Sequence, residues 1–203
     1  MYFNLVRIFG DVPLALTEVS NIQEGYKQGR IKTDLVYKQV IQDLAEAAKN
    51  LPATYQEMDI GRATSGAAKS LLGKVFLTIG DYAAAVFILK EVINSGTYKL
   101  LEQYPDLWLT ANANHAESIF EVQYKKGGTE TGSPFTNFFA PRDSELAVTK
   151  VGYAYGRNLP TDNLVQAYEE GDIRKGASIA ETYERDGQVI NEPYTIKYKD
   201  VPF

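Results

Sequence analysis

The sequence has no cysteine, a single histidine, a single tryptophan and no apolar run as long as a membrane span. Without cysteine there is no disulfide, no thiolate metal site and no cysteine nucleophile, and cysteine pairing leaves no mark of a redox compartment. His115, in Asn112-Ala113-Asn114-His115, has no second imidazole to pair with and reads as a loop or packing residue rather than a base or ligand. A spanning helix needs roughly 18 or more consecutive apolar residues, which excludes one here. Neither charge forms a block: 21 Lys+Arg and 26 Asp+Glu leave a net charge of −5, spread along the chain, so a nucleic-acid arm is excluded. The opening Met1-Tyr2-Phe3-Asn4-Leu5-Val6-Arg7 is neither a signal peptide nor a helix cap, and the beginning looks cut.

What is present is an ordinary globular balance, 44% hydrophobic and 23% charged over 203 residues, enough for one domain with a sizeable core or one and a half small ones. Its 14 Tyr and 9 Phe suit a surface that binds something amphipathic such as a sugar. Residues 5–14, apolar but broken by Gly10 and Pro13, read as an extended segment or a helix end running into a loop. From Thr33, which can N-cap, Tyr37, Val40, Ile41, Leu44, Ala48 and Leu51 recur at helical spacing until Pro52. A second helix follows a cap at Thr64 or Ser65, with Ala67, Ala68, Leu71, Leu72, Val75, Phe76 and Ile79 on its buried face. Gly80 stops it, Asp81 caps a third with Ala85, Val86, Leu89, Val92 and Ile93 facing inward, and Gly96 closes that one. So short a join makes the pair antiparallel.

Leu72-Gly73, Phe76, Gly80-Asp81-Tyr82 and Ala85 stand at the offsets of a tetratricopeptide (TPR) repeat, with Gly73 and Ala85 expected at the helix crossing and Phe76 and Tyr82 filling the space beside it. Beyond Gly96 the pattern turns irregular. Residues 117–124 read as a strand, residues 125–160 have no period, and Thr161-Asp162-Asn163 starts a short helix ending at Gly171. Asp186-Gly187 marks a hairpin turn between residues 178–183 and 189–198. The fold class is therefore mostly α with minor β (α+β): TPR-like helical hairpins of an α/α superhelix plus an irregular region with a β-hairpin.

Several segments in order carry a family resemblance: Gly10-Asp11-Val12-Pro13-Leu14; Val40-Ile41-Gln42-Asp43-Leu44 running to Leu51-Pro52; Gly61-Arg62-Ala63-Thr64 with Ala67-Ala68-Lys69; Gly80-Asp81-Tyr82; Val92-Ile93-Asn94-Ser95-Gly96; Glu117-Ser118-Ile119-Phe120-Glu121-Val122-Gln123-Tyr124; and Pro160-Thr161 to Asp172-Ile173-Arg174. In this order the chain resembles the SusD/RagB family of nutrient-binding outer-membrane lipoproteins. The resemblance implies one partial SusD-like domain over residues 1–203, with residues 33–96 its TPR-like helical part and residues 97–203 its loops, short strands and short helix. It implies a non-catalytic protein on the cell surface that binds a glycan or other nutrient and passes it to a SusC-like TonB-dependent transporter. It also implies a central piece of a longer chain, attached to the outer membrane only through a lipid anchor absent from this sequence. A general TPR-type protein-interaction module is the alternative.

Sites are sparse. Gly61 to Gly66 with Lys69-Ser70 has the outline of a phosphate loop, but Ala67 stands where that motif needs lysine, and no other cofactor motif is present. Glu169-Glu170, and Glu117 with Glu121, are explained by a solvated helix face and a sheet face, so an enzyme acting through paired acids has no support. Trp108 reads as packing rather than sugar stacking. The stretch that suits a carbohydrate platform is residues 125–158, where rings meet apolar sugar faces and polar forks meet hydroxyls: Phe135, Tyr153, Tyr155, Arg157 and Asn158 are the candidate ligand residues. Tyr153 and Tyr155 either stack on ligand or pin the loop, and Phe138 and Phe139 lean to packing.

Overall fold

A computed structural model describes residues 1–124, 132–149 and 153–198. The chain divides into two compact units, one of residues 1–99 with 118–120, the other of residues 100–117 with 121–203.

The first unit is helical. Helix α1 (Tyr2–Phe9) buries Phe3 and Val6 and ends at Gly10 with φ 67, so the opening segment is a helix end rather than extended chain. After a single turn, α2 (Ile22–Tyr26), comes α3 (Thr33–Asn50), whose Val36 and Val40 are buried and whose Tyr37, Ile41 and Leu44 are half-buried. Thr33 is not its cap. Lys32 occupies that position without a side-chain bond, and Asp11 Oδ1 instead accepts both the Thr33 backbone N–H and its hydroxyl, each at 2.8 Å. A cap supplied from 22 residues away leaves no mark in the local pattern.

Helix α4 (Ser65–Ile79) is capped by Thr64, whose hydroxyl accepts the Ala67 N–H at 3.1 Å and contacts the Tyr98 hydroxyl at 3.0 Å. Gly80, φ 83, turns the chain, and Asp81 caps α5 (Tyr82–Asn94) through the Ala84 N–H. The two helices cross where Gly73 meets Leu89, beside a fully buried Ala85. Their apolar faces are wider than their contact: Ala68, Leu72, Val75, Ala85 and Val92 are buried, whereas Leu71, Ile79, Val86 and Ile93 are exposed. Tyr82, expected to fill space at the crossing, is 67% exposed, and Phe76 is half-buried. The core joins Phe3, Val40 and Val75 to a second cluster of Val6, Val12 and Val36.

The second unit is built from short pieces. Residues 117–124 do not form the expected strand and have no ladder partner among the described residues. The acids that suggested a sheet face are taken up by backbone, Glu117 accepting the Leu101 N–H at 2.9 Å and Glu121 the Asn114 N–H at 3.1 Å. Alternation specifies a strand only where a neighbouring edge receives it. Residues 125–131 and 150–152 of the aperiodic stretch lie outside the described residues. The rest of it is not all irregular, because α6 (Phe135–Phe139) follows Pro134 and a 3₁₀ segment covers Arg142–Ala147. Helix α7 (Asp162–Gln166), capped by Thr161, is shorter than expected, and α8 (Ile173–Ser178), capped by Asp172, is an addition.

The hairpin of β1 (Ile179–Arg185) and β2 (Gln188–Thr195) turns at Asp186-Gly187 with φ 52 and 74, the paired left-handed conformations of a type I′ turn. Its inner face supplies Tyr183 and Tyr194, ring centroids 6.2 Å apart, to a core with Ala140, Val148 and Ala154. Burial raises the pKa of both phenols, that of Tyr183 further because its hydroxyl donates to Glu192 at 3.2 Å.

Candidate functional site

Two surfaces of the second unit gather aromatic and charged groups. The first is the segment Tyr153-Ala154-Tyr155-Gly156-Arg157, laid along α6. The N–H groups of Tyr155, Gly156 and Arg157 donate to the carbonyls of Asn137, Ala140 and Phe138 at 2.9, 2.8 and 2.7 Å, and the Asn137 amide donates to the Tyr153 carbonyl at 3.1 Å. Ala154 points into the core, so its neighbours point out: Tyr153 is 84% exposed and Tyr155 42%. The Arg157 guanidinium lies 4.8 Å from the Phe138 ring centre and 5.4 Å from that of Tyr155, and those rings meet edge to face at 5.4 Å. Asn158 follows, exposed and with φ 54.

Four of the five residues singled out from sequence therefore form one ledge. Phe135 does not join it. Three residues before Phe138 on α6, it stacks on Phe139 at 5.7 Å with the rings parallel, and touches Tyr124 and Tyr198. It belongs to a row of rings that continues through Tyr198 to Trp108 and Tyr104.

The second surface lies on that row, and the sequence reading missed it. A cavity of about 350 Å³ is lined by Tyr104, Leu164, Ala167, Tyr168, Asp172, Arg174 and Lys197. Asp172 does double duty: Oδ1 accepts the Arg174 backbone N–H at 2.9 Å to cap α8, and its two oxygens hold the Arg174 guanidinium, the shortest contact 2.5 Å. The Arg174 hydrogen bonds hold the Asp172 carboxyl below its ordinary pKa and raise that of the guanidinium. Lys197 places its ammonium 4.5 Å from the Trp108 ring centre and 5.9 Å from that of Tyr104. Burial would raise the Tyr104 pKa, but the polar groups of Ser178, Lys197 and Trp108 around its hydroxyl outweigh it and lower the value. The signals for this site, Asp172-Ile173-Arg174 and Trp108, stand in sequence about 65 residues apart, and only the fold joins them.

His115 accepts the Glu117 N–H at 3.2 Å through Nδ1 and is half-buried. Among the described residues no group of three His, Asp or Glu side chains is placed to hold a metal ion, and no helix is long and apolar enough to cross a membrane.

A family model described as SusD-like, starch-binding associating with outer membrane, matches residues 1–77. The chain is 27% identical to a SusD-like protein of Formosa agariphila across 97% of its own length and 43% of that protein. Among solved structures, a laminarin-binding SusD-like protein superposes with a TM-score of 0.79 at 30% identity, over 97% of this chain and 48% of the other. The chain belongs to the SusD/RagB family. Surface glycan-binding protein A from Bacteroides fluxus is similar at 25% identity, with a TM-score of 0.78 over 98% of this chain and 45% of that one. This SusD/RagB chain spans less than half the length of the curated relatives it matches first, 43% and 39%. Its helical first unit and two-stranded hairpin agree with the mostly α, minor β class that the pattern predicts.

Proposed function

We propose that the protein is a non-catalytic, cell-surface binder of a glycan or oligosaccharide, and that Tyr153, Tyr155, Arg157 and Asn158 are its ligand ledge. The observation that carries this is Tyr153: a phenol 84% exposed on backbone anchored by hydrogen bonds to α6, beside a second ring braced by a cation. An exposed ring on a fixed backbone gives a sugar face a platform at little cost in ordering. The relatives support the class of ligand, one being named as laminarin-binding and another as a surface glycan-binding protein. Phe135, which packs in the row of rings with Phe139 and Tyr198, stands outside this ledge.

Delivery to a SusC-like TonB-dependent transporter, and residence on the outer membrane through a lipid anchor of the full-length protein, complete the reading. They draw on family membership and on the family description, which places its members with the outer membrane. Against catalysis stands the state of the one carboxylate lining the cavity. Asp172, held ionised by Arg174, is a poor proton donor to a leaving sugar.

The alternative reading, a TPR-type interaction module, draws on the outer side of α5, where Phe87 is 69% and Ile93 72% exposed. Titration of the protein with laminarihexaose and malto-oligosaccharides separates the two. Binding of either that drops at least tenfold in Tyr153→Ala, with Tm unchanged, supports the ledge. Binding untouched by Tyr153→Ala removes the ledge from the site, and the absence of binding to any neutral or charged glycan favours the interaction module.

A further inference from the structure

The cavity beside α8 differs in chemistry from the ledge. Its lining carries two cations, Arg174 and Lys197, against one carboxylate, Asp172, and so holds an excess of positive charge in a chain whose net charge is −5. The two cations are not equivalent. Arg174 is committed on one edge, its Nε and one Nη donating to Asp172, which leaves its other N–H groups directed elsewhere. Lys197 has no carboxylate partner among the described residues, although the other cation of the cavity has one. It is half-buried, stretched over the faces of Trp108 and Tyr104. A cation held on two rings, with no carboxylate partner among the described residues, sits in a favourable field for an anion arriving from solvent. The walls offer groups that a sugar ring can contact: Tyr104 and Tyr168 supply rings and hydroxyls, and Leu164 and Ala167 supply apolar surface. At about 350 Å³ the volume lies at the small end of the roughly 300–1,000 Å³ range of small-molecule pockets, suited to one or two sugar rings rather than a long chain.

We infer that this cavity is a second saccharide site, selective for a sugar residue that bears an anionic group, carboxylate or sulfate, which Lys197 and the free edge of Arg174 receive while Tyr104 and Tyr168 contact the ring. The inference rests on the reading of the protein as a glycan binder but concerns a different surface from the Tyr153 ledge. Asp172 serves as a positioning residue, fixing the guanidinium through its Nε and one Nη. It also disfavours anions that cannot approach the side turned away from it, which limits non-specific capture.

The test is calorimetric titration of the whole chain with three oligosaccharides of equal length: a neutral glucan, an oligogalacturonate and a sulfated galactan. The charged sugars are expected to bind at least tenfold tighter than the neutral one at low salt, and to lose most of that advantage at about 0.5 M NaCl. Lys197→Met, which keeps an apolar stem over Trp108, should abolish the advantage, and Lys197→Arg should keep most of it; the neutral glucan should be unaffected by either. Preference for the oligogalacturonate identifies a carboxylate as the recognised group, and preference for the galactan a sulfate. Equal affinity for neutral and charged sugars, or a charged-sugar advantage that survives Lys197→Met in a variant of native circular dichroism, overturns the inference. Neutral-glucan binding that Tyr153→Ala removes would stand through that failure, so the two readings fail separately.

Discussion

Gly73 and Leu89 meet at the α4–α5 crossing so closely that a Cβ at position 73 would stand 2.5 Å from Leu89 Cδ2 and 2.6 Å from Cγ. In an open helix, alanine is favoured over glycine by about 0.8–1.0 kcal/mol. Here the overlap opposes that gain, and overpacking costs about 1–3 kcal/mol. Gly73→Ala should therefore lower Tm. Leu89→Ala should relieve the clash, so the double variant should lose less than the sum of the singles, with a coupling on the order of 0.5–3 kcal/mol in denaturant titrations. Strict additivity would mean that the two residues do not touch.

Phe76 and Tyr82 were both expected beside this crossing, and the structure separates them. Phe76, half-buried, should lose about 1–2 kcal/mol on substitution by alanine, less than the roughly 3–5 kcal/mol of a fully buried ring. Tyr82, 67% exposed, should change stability by no more than about 0.5 kcal/mol. Chemical denaturation of the two variants checks the order; a larger loss at Tyr82 would contradict the packing.

What the sequence made legible follows the range of the interaction. The three long helices, the Thr64 and Asp81 caps, and the Asp186-Gly187 turn are written in residues within a few positions of one another, and all are found. The partner of Thr33, Asp11, is distant in sequence, so the local pattern points to a cap that Thr33 does not make. Residues 117–124 alternate like a strand without forming one, because alternation says nothing about whether a partner edge exists. Helices α6 and α8 are five and six residues long, too short to display a period. At the candidate site, Tyr153 to Asn158 are close together in sequence, so their grouping on one ledge was legible. The cavity of Tyr104, Arg174 and Lys197 was not, its parts being scattered over three segments.

Tyr153 and Tyr155, left open together between ligand and packing, differ in the structure. Among the described residues Tyr153 makes no ring contact of the kind that ties Tyr155 to Phe138 and to Arg157, and it is twice as exposed. Tyr155→Ala should lower Tm, by an amount corresponding to about 1 kcal/mol, because an aromatic pair and a cation–π contact go with it. Tyr153→Ala should leave the melting curve in place. Thermal unfolding of the two single variants decides it, and equal shifts would mean that both rings pin the loop.

Asp11 offers a test of how much of the α3 start depends on charge. Both Thr33 donors converge on Oδ1, and they hold the carboxyl below its ordinary pKa, helped by Arg30 and Lys32. A carboxyl whose folded pKa lies below its unfolded value stabilises the fold at every pH above the unfolded value, and that contribution fades as pH falls through the folded one. Asp11→Asn keeps an oxygen acceptor for Thr33 and removes only the charge, whereas Asp11→Ala removes both. Near neutral pH the order of Tm should be wild type, then Asn, then Ala. In acid, once Asp11 is protonated, wild type should converge on the Asn variant while Ala stays below both, because the acceptor survives protonation and the charge does not. Should the gap between wild type and Asn persist into strong acid, the cap would owe nothing to the carboxylate charge.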